Sequence, residues 1–242
     1  MNKPHFHFVT LFPEVIRTWM ETSILGRAVD KALINFSIHQ LRDFSIDNYR
    51  SVDDSAYGGG GGMVLKVDVL VAAVEHIWKC FSREKCRVIY FSPAGRTLTQ
   101  DTVEVFATQY AEPNLILICG HYEGVDQRFI DHWVDNEISL GDFVLTGGEL
   151  PALAFVDTLS RQVEGTLGNE QAHHTESFSL REGSKRLLEY PHFTRPQIFR
   201  ELAVPAVLLQ GDHTKIAQWR KEQALFRTST RRPDLLSSPD KD

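Results

Sequence analysis

Two short stretches combine residue types that could hold a small charged or flat ligand. In Gly120-His121-Tyr122-Glu123-Gly124-Val125-Asp126, a carboxylate and an aromatic ring stand between two glycines, directly after an apolar run. Glu123 would stabilise a cationic sulfonium or a metal ion, and an aromatic face attracts a cation. Glu123 or Asp126 could equally cap the helix that follows. In Ser139-Leu140-Gly141-Asp142-Phe143-Val144-Leu145-Thr146-Gly147-Gly148-Glu149-Leu150-Pro151, glycines alternate with apolar residues. Such a segment can offer backbone N–H and C=O groups to a base edge while apolar side chains cover the base faces. It can also be a tight connection into a helix that begins near Glu149 and ends around Arg161.

Three further stretches carry weaker signals. Tyr57-Gly58-Gly59-Gly60-Gly61-Gly62-Met63 could bring backbone N–H groups close to a ligand, or form a flexible surface loop. No Lys-Ser/Thr follows, so it is not a P-loop, and Met63 stands where a dinucleotide fingerprint needs its third glycine. The acids of Ser51-Val52-Asp53-Asp54 could bind a metal, though capping a turn is the commoner role. His173-His174-Thr175-Glu176 offers proton acceptors in a polar, weakly periodic region, as a surface loop also would.

These stretches need a scaffold, and the apolar pattern supplies one. His5–Leu11, Arg87–Phe91 and Asn114–Cys119 read as buried strands, with Phe143–Leu145 as a very short fourth. Helical patterns over Val67–Trp78 and Thr99–Tyr110 lie between them, so an α/β fold with a parallel sheet is expected. Strands ending in Gly- or Pro-rich loops place ligands at the carboxyl edge of such a sheet. Residues 162–190 read as a linker or mobile loop, and a helical pattern returns from about residue 212.

Composition sets outer bounds. The 242 residues are 42% hydrophobic and 24% charged, as in ordinary globular proteins. The net charge of −6 divides into −7 over residues 1–161 and +1 over residues 162–242, so a polyanion would find its basic contacts in the second part. Cys80, Cys86 and Cys119 form no C-x-x-C pair, which argues against a zinc or redox motif and for a reducing compartment. The run Phe8–Phe12 is too short for a signal peptide or membrane span, so a cytoplasmic protein with no membrane partner is expected.

Taken in order along the chain, the motifs resemble the bacterial tRNA (guanine-N1)-methyltransferases of the SPOUT class. The resemblance runs from Val9-Thr10-Leu11-Phe12-Pro13-Glu14 through Tyr90-Phe91-Ser92-Pro93, Cys119–Gly124 and Gly141–Pro151. It continues to Tyr190-Pro191-His192-Phe193-Thr194-Arg195-Pro196 and Arg231-Arg232-Pro233. It implies an α/β sheet with a deep trefoil knot, a feature that local pattern cannot reveal, plus a small C-terminal helical domain. The implied boundaries are a knotted catalytic domain over 1–161, a mobile linker over 162–180 and a tRNA-binding helical domain over 181–242. A homodimer, with each active site built from both subunits, is implied too.

The resemblance places S-adenosylmethionine in three loops. One holds Tyr90, Phe91, Ser92 and Pro93, and a second Gly120, Tyr122, Glu123 and Gly124. The third holds Leu140, Gly141, Asp142, Phe143, Val144, Leu145, Gly147, Gly148 and Pro151. Arg161 matches the family's catalytic arginine, and Mg²⁺ dependence is implied. The chain departs from the family pattern at Ala56 and Gly61, where proline is usual, and carries His121 where Arg or His is seen. The usual Asp-Ser-Phe of the general base reads Glu176-Ser177-Phe178 here. Glu176 is therefore expected to take the proton from guanine N1, with His174 as the alternative base, and Arg161 to stabilise charge on O6. Two other functions fit parts of the sequence: a phosphate-ester hydrolase using the glycine loop, and a non-catalytic RNA-binding protein. Residues 162–190 are expected to order on tRNA binding, since their composition supports no core.

Overall fold

A computed structural model describes residues 3–108, 113–168 and 175–237. The chain forms two compact units, divided between Gly168 and Asn169. The first is a mixed α/β unit built on a five-stranded parallel sheet. Its strands are β1 (His5–Thr10), β2 (Asn35–Gln40), β5 (Cys86–Thr97), β6 (Asn114–Ile118) and β7 (Asn136–Ser139), in the order β2-β1-β6-β5-β7. The short strands β3 (Asp53–Ser55) and β4 (Met63–Leu65) pair antiparallel beside it.

Strand alternation sends side chains to two cores. Phe6, Phe8, Ile89, Phe91, Leu115 and Leu117 pack on one face with α1 (Pro13–Met20), α2 (Ser23–Asp30), α4 (Gln100–Thr108) and α6 (Glu149–Ser160). Val9, Val88, Tyr90, Ile116 and Ile118 pack on the other with α3 (Val67–Phe81) and α5 (Gln127–Trp133). Both faces are covered, which is why the central strands read as continuous apolar runs. Beyond α6, Val163 still packs against the first core and Thr166 is buried. Among the described residues, no helix is long and apolar enough to cross a membrane.

Two elements differ from the sequence reading. Phe143–Leu145 is not a strand: Phe143 N–H donates to Gly141 C=O (2.9 Å), a tight turn that leaves no extended segment to pair. The strand is the preceding Asn136–Ser139. The edge strand β2 was missed because its Asn, Ser, His and Gln residues hide the apolar signal.

In the second unit, α7 (His213–Arg231) starts at Asp212, whose carboxylate accepts from the N–H groups of Thr214 and Lys215 (both 3.1 Å). Buried Thr228 accepts from Leu188 N–H (2.9 Å) and donates to Ala224 C=O (2.7 Å). That bond ties α7 to the segment following the hairpin of β8 (Arg181–Glu182) and β9 (Lys185–Arg186).

Four histidines gather on the α3 side of the sheet edge. The His5 and His7 rings stack at 4.0 Å, His7 Nδ1 lies 3.2 Å from His39 Nε2, and His76 on α3 approaches His39. His7 Nε2 meets Asn114 Oδ1 and His5 Nε2 meets Ser37 Oγ. Burial first, then repulsion from its histidine neighbours, lowers His7 to about 3 and His39 to about 4. Each is thus depressed below the unfolded value of about 6.5. Stability is complete above that value and is lost as pH falls toward the folded pKa. Between pH 7 and pH 5, His7 alone is expected to cost roughly 2 kcal/mol. Thermal unfolding at the two pH values measures the drop, and His39→Gln, which removes the contribution of His39 itself, should reduce it. An identical Tm at both pH values contradicts the arrangement.

Candidate functional site

The strands β6, β5 and β7 lie side by side and parallel, so the loops leaving their carboxyl ends meet. They enclose a cleft of about 240 Å³. Each loop is shaped by a different local device.

The first loop is an interruption of β5. Phe91 and Arg96 both pair with Ile138, so residues 92–95 are extruded from the sheet. Ser92 Oγ donates to the Glu137 carboxylate and accepts from Ala94 N–H, which fixes the extruded turn. The second loop follows β6. Gly124 N–H donates to His121 C=O (3.1 Å), Tyr122 takes the left-handed conformation, and Glu123 N–H donates to Met63 C=O (3.0 Å). Asp126, not Glu123, caps α5 by accepting from Arg128 N–H (2.9 Å), which leaves Glu123 to line the cleft. The Tyr90 ring supports this loop from beneath. Burial, and then the charge of Glu137, push its phenol above the ordinary range, so it remains a neutral wall.

The third loop, residues 140–148, folds back on the second. His121 and Gly147 form an antiparallel bridge, and Gly148 N–H donates to Gly120 C=O (2.8 Å). A Cβ on Gly148 would stand 2.6 Å from both Cys119 Cα and Gly120 N, so only glycine permits this approach. The chain then enters α6, with Pro151 in the first turn, where a missing N–H costs nothing. Cys119 beneath the junction is fully buried. Burial, and then the Glu149 charge, raise its thiol well above the usual value, which makes it packing rather than a nucleophile.

Every residue placed in the donor site from sequence lines this cleft except Gly141 and Asp142. Gly141 lies under the Phe143 ring, and its N–H donates to Ser139 Oγ (3.1 Å). His121, Ile138, Ser139 and Thr146 also line the cleft and were not among the expected contacts. His121 and Thr146 fall within the motif spans; Ile138 and Ser139 needed the position of β7.

The two expected catalytic residues lie elsewhere. Arg161 follows the last turn of α6, its N–H on Asp157 C=O (3.2 Å). Gly148 borders the other end of that helix, about 20 Å away at 1.5 Å per residue. Glu176 belongs to the second unit. Its C=O accepts from the N–H groups of Ser179 and Leu180, and Ser177 Oγ accepts from Glu189 N–H, so the backbone carrying the carboxylate is held in a turn. His173 and His174 lie outside the described residues. The Tyr57–Met63 loop joins β3 to β4 and does not line the cleft. A Cβ on any of Gly58 to Gly61 would meet open space. Asp54 accepts from the N–H of the next residue, Ser55 (2.7 Å), a local contact within β3. Among the described residues, no group of three or more His, Cys, Asp or Glu side chains could hold a metal ion.

Residues 4–238 match the family model described as tRNA (Guanine-1)-methyltransferase TrmD. A tRNA (guanine-N(1)-)-methyltransferase of Gloeobacter violaceus is 51% identical, over 94% of this chain and 96% of its own length. Enzymes of the same name from Lachnospira eligens and Clostridioides difficile are 46% and 44% identical, each over 95% of this chain and 94% and 96% of their own lengths.

The glycine contact predicts a contrast. The atoms facing a Cβ at position 148 are backbone and cannot rotate aside, so Gly148→Ala should cost at least about 2 kcal/mol in urea unfolding. Gly61→Ala faces open space and should stay within about 0.5 kcal/mol of the wild type. Equal stabilities would show that the second and third loops do not pack as closely as described.

Proposed function

The chain belongs to the tRNA (guanine-1)-methyltransferase family, and from that membership we propose that it transfers a methyl group from S-adenosylmethionine to N1 of guanine 37 in tRNA, the nucleotide 3′ of the anticodon. The observation that carries the reading is the cleft where three loops converge. Its lining suits the donor: exposed apolar side chains of Phe143, Val144 and Leu145 can cover an adenine, backbone groups of the third loop can meet its edge, and Glu123 offers a carboxylate to the sulfonium. The same reading takes the sheet as the knotted SPOUT type. That part of the reading rests on the family membership. Neither alternative is favoured: the glycine loop a hydrolase would use touches Glu123 but lines no part of the cleft, and the relatives named above are methyltransferases.

When bound, S-adenosylmethionine supplies an electrophilic methyl carbon. The chain's own groups act on the acceptor, because guanine N1 carries a proton and is a poor nucleophile. The Glu176 carboxylate takes that proton as the N1–C bond forms and the C–S bond breaks. The Arg161 guanidinium stabilises negative charge on O6. No step is assigned to Mg²⁺, whose requirement the resemblance implies.

A homodimer follows from the same reading. Arg161 lies too far along α6 to reach the cleft entrance of its own protomer, so a second copy brings it. Val15 and Trp19 on α1, Phe12 just before it, and Leu150 on α6 expose apolar area that a two-fold interface would cover. The second unit, with net charge +2 over residues 169–242 and exposed aromatic and basic residues along α7, is assigned to the tRNA. The enzyme is placed in the cytoplasm with that substrate.

Single-turnover methylation of a tRNA transcript tests the assignment. Glu176→Gln should lower the rate at least about a hundredfold, and Arg161→Ala about a hundred- to a thousandfold. Binding of S-adenosylhomocysteine to both variants should stay near that of the wild type. A Glu176→Gln rate within threefold of the wild type rejects the base.

A further inference from the structure

Glu149 is a buried carboxylate at the edge of the cleft, 6% exposed, and both of its oxygens are occupied. His121 Nε2 lies 2.7 Å from Oε2, and Thr10 Oγ1 donates to Oε1 at 2.6 Å. A carboxylate can only accept, so the imidazole carries its proton on Nε2. Thr10, itself buried, also accepts from Phe12 N–H (2.9 Å), and the Phe12 ring packs edge-on against His121 at 4.9 Å.

Burying a charged group is costly unless it is paired and hydrogen-bonded. Glu149 meets that condition through side chains from two separate elements, β1 and the second loop. Its place in the first turn of α6 adds the favourable end of the helix dipole. The backbone bridges at Gly147 and Gly148 already attach the third loop to the second. The His121–Glu149 pair adds a side-chain link between the same two segments. A Cβ on Gly147 would stand 2.3 Å from His121 Cε1 and 2.8 Å from Glu149 Oε2, so the pair fills the space where a side chain at Gly147 would lie.

We propose that His121 and Glu149, braced by Thr10, form a positioning clamp that holds the second and third loops at the separation the methyl donor requires. The clamp rests on the reading of the cleft as the donor site. His121 acts through the loop it orients, not on the reacting atoms. Through Thr10 and Phe12 the clamp continues toward α1, whose exposed Val15 and Trp19 form the apolar face assigned to the second subunit.

Calorimetric titration of the full-length protein with S-adenosylhomocysteine tests the clamp. His121→Ala and Glu149→Gln should each weaken binding at least about tenfold, and Thr10→Val by a smaller factor. His121→Arg, which offers N–H donors to the same carboxylate, should restore binding to within about threefold of the wild type. With tRNA, the donor KM should rise in His121→Ala while the single-turnover rate at saturating donor changes less than about fivefold, a split that general loss of folding would not give. If His121→Ala does not fold, Glu149→Gln and Thr10→Val decide the matter. Wild-type affinity in these variants overturns the clamp. No binding by the wild type would instead refute the donor site itself, a distinct outcome.

Discussion

The site depends on one close approach of backbone to backbone. At Gly148 the third loop passes against Cys119 and Gly120 with no room for a side chain, and the Gly148 N–H is spent on Gly120 C=O. The cleft lies beside that contact. Its floor is Tyr90, its walls are the two joined loops, and its remaining edge is the four-residue extrusion from β5. The contact is possible because parallel strands β6, β5 and β7 bring three carboxyl ends to one edge, and because both sheet faces are packed by helices. Tight packing around a glycine gives the loops a single arrangement in place of a family of them.

Much of this was legible in residue pattern. Central strands β1, β5 and β6 are fully covered and therefore apolar throughout, so they stood out. The two Gly-rich motifs that follow β6 and β7 supply most of the cleft. Other features were hidden for physical reasons. Edge strand β2 sends Phe36 and Ile38 to the first core but Ser37 and His39 to the polar histidine cluster on the other face, and β7 is four residues long, below the length at which a period registers. Phe143–Leu145 is apolar because it lines a cleft, which resembles a strand in composition only. The five-glycine loop was the loudest signal in the chain, yet it does not line the cleft. Glu149 read as the start of a helix. Its partners Thr10 and His121 are 139 and 28 positions away, a relation that only the fold reveals.

The two halves of the reaction fall on different parts of the chain. The cleft proposed for the donor is lined by residues of the first unit alone. Glu176, proposed as the proton acceptor, belongs to the second unit, and Arg161 stands at the far end of α6 from the cleft. Such a division suits a symmetric dimer, in which a residue that cannot serve its own protomer serves the other. It also suits an enzyme that must admit a large RNA. A preformed cleft can take up the small donor while the catalytic groups arrive with the second substrate. The exposed apolar residues on α1 and at the start of α6 have their use in the same arrangement.

In the proposed reaction the cleft delivers a methyl group to N1 of one guanine. The most direct measurement incubates the wild-type protein with methyl-labelled S-adenosylmethionine and a tRNA transcript carrying guanine at position 37, then identifies the labelled nucleoside by mass spectrometry. A transcript with adenine at that position serves as the comparison. Label is expected as N1-methylguanosine at position 37 of the first transcript and not in the second. Label on another atom or nucleotide, or equal label in both transcripts, would contradict the proposed reaction.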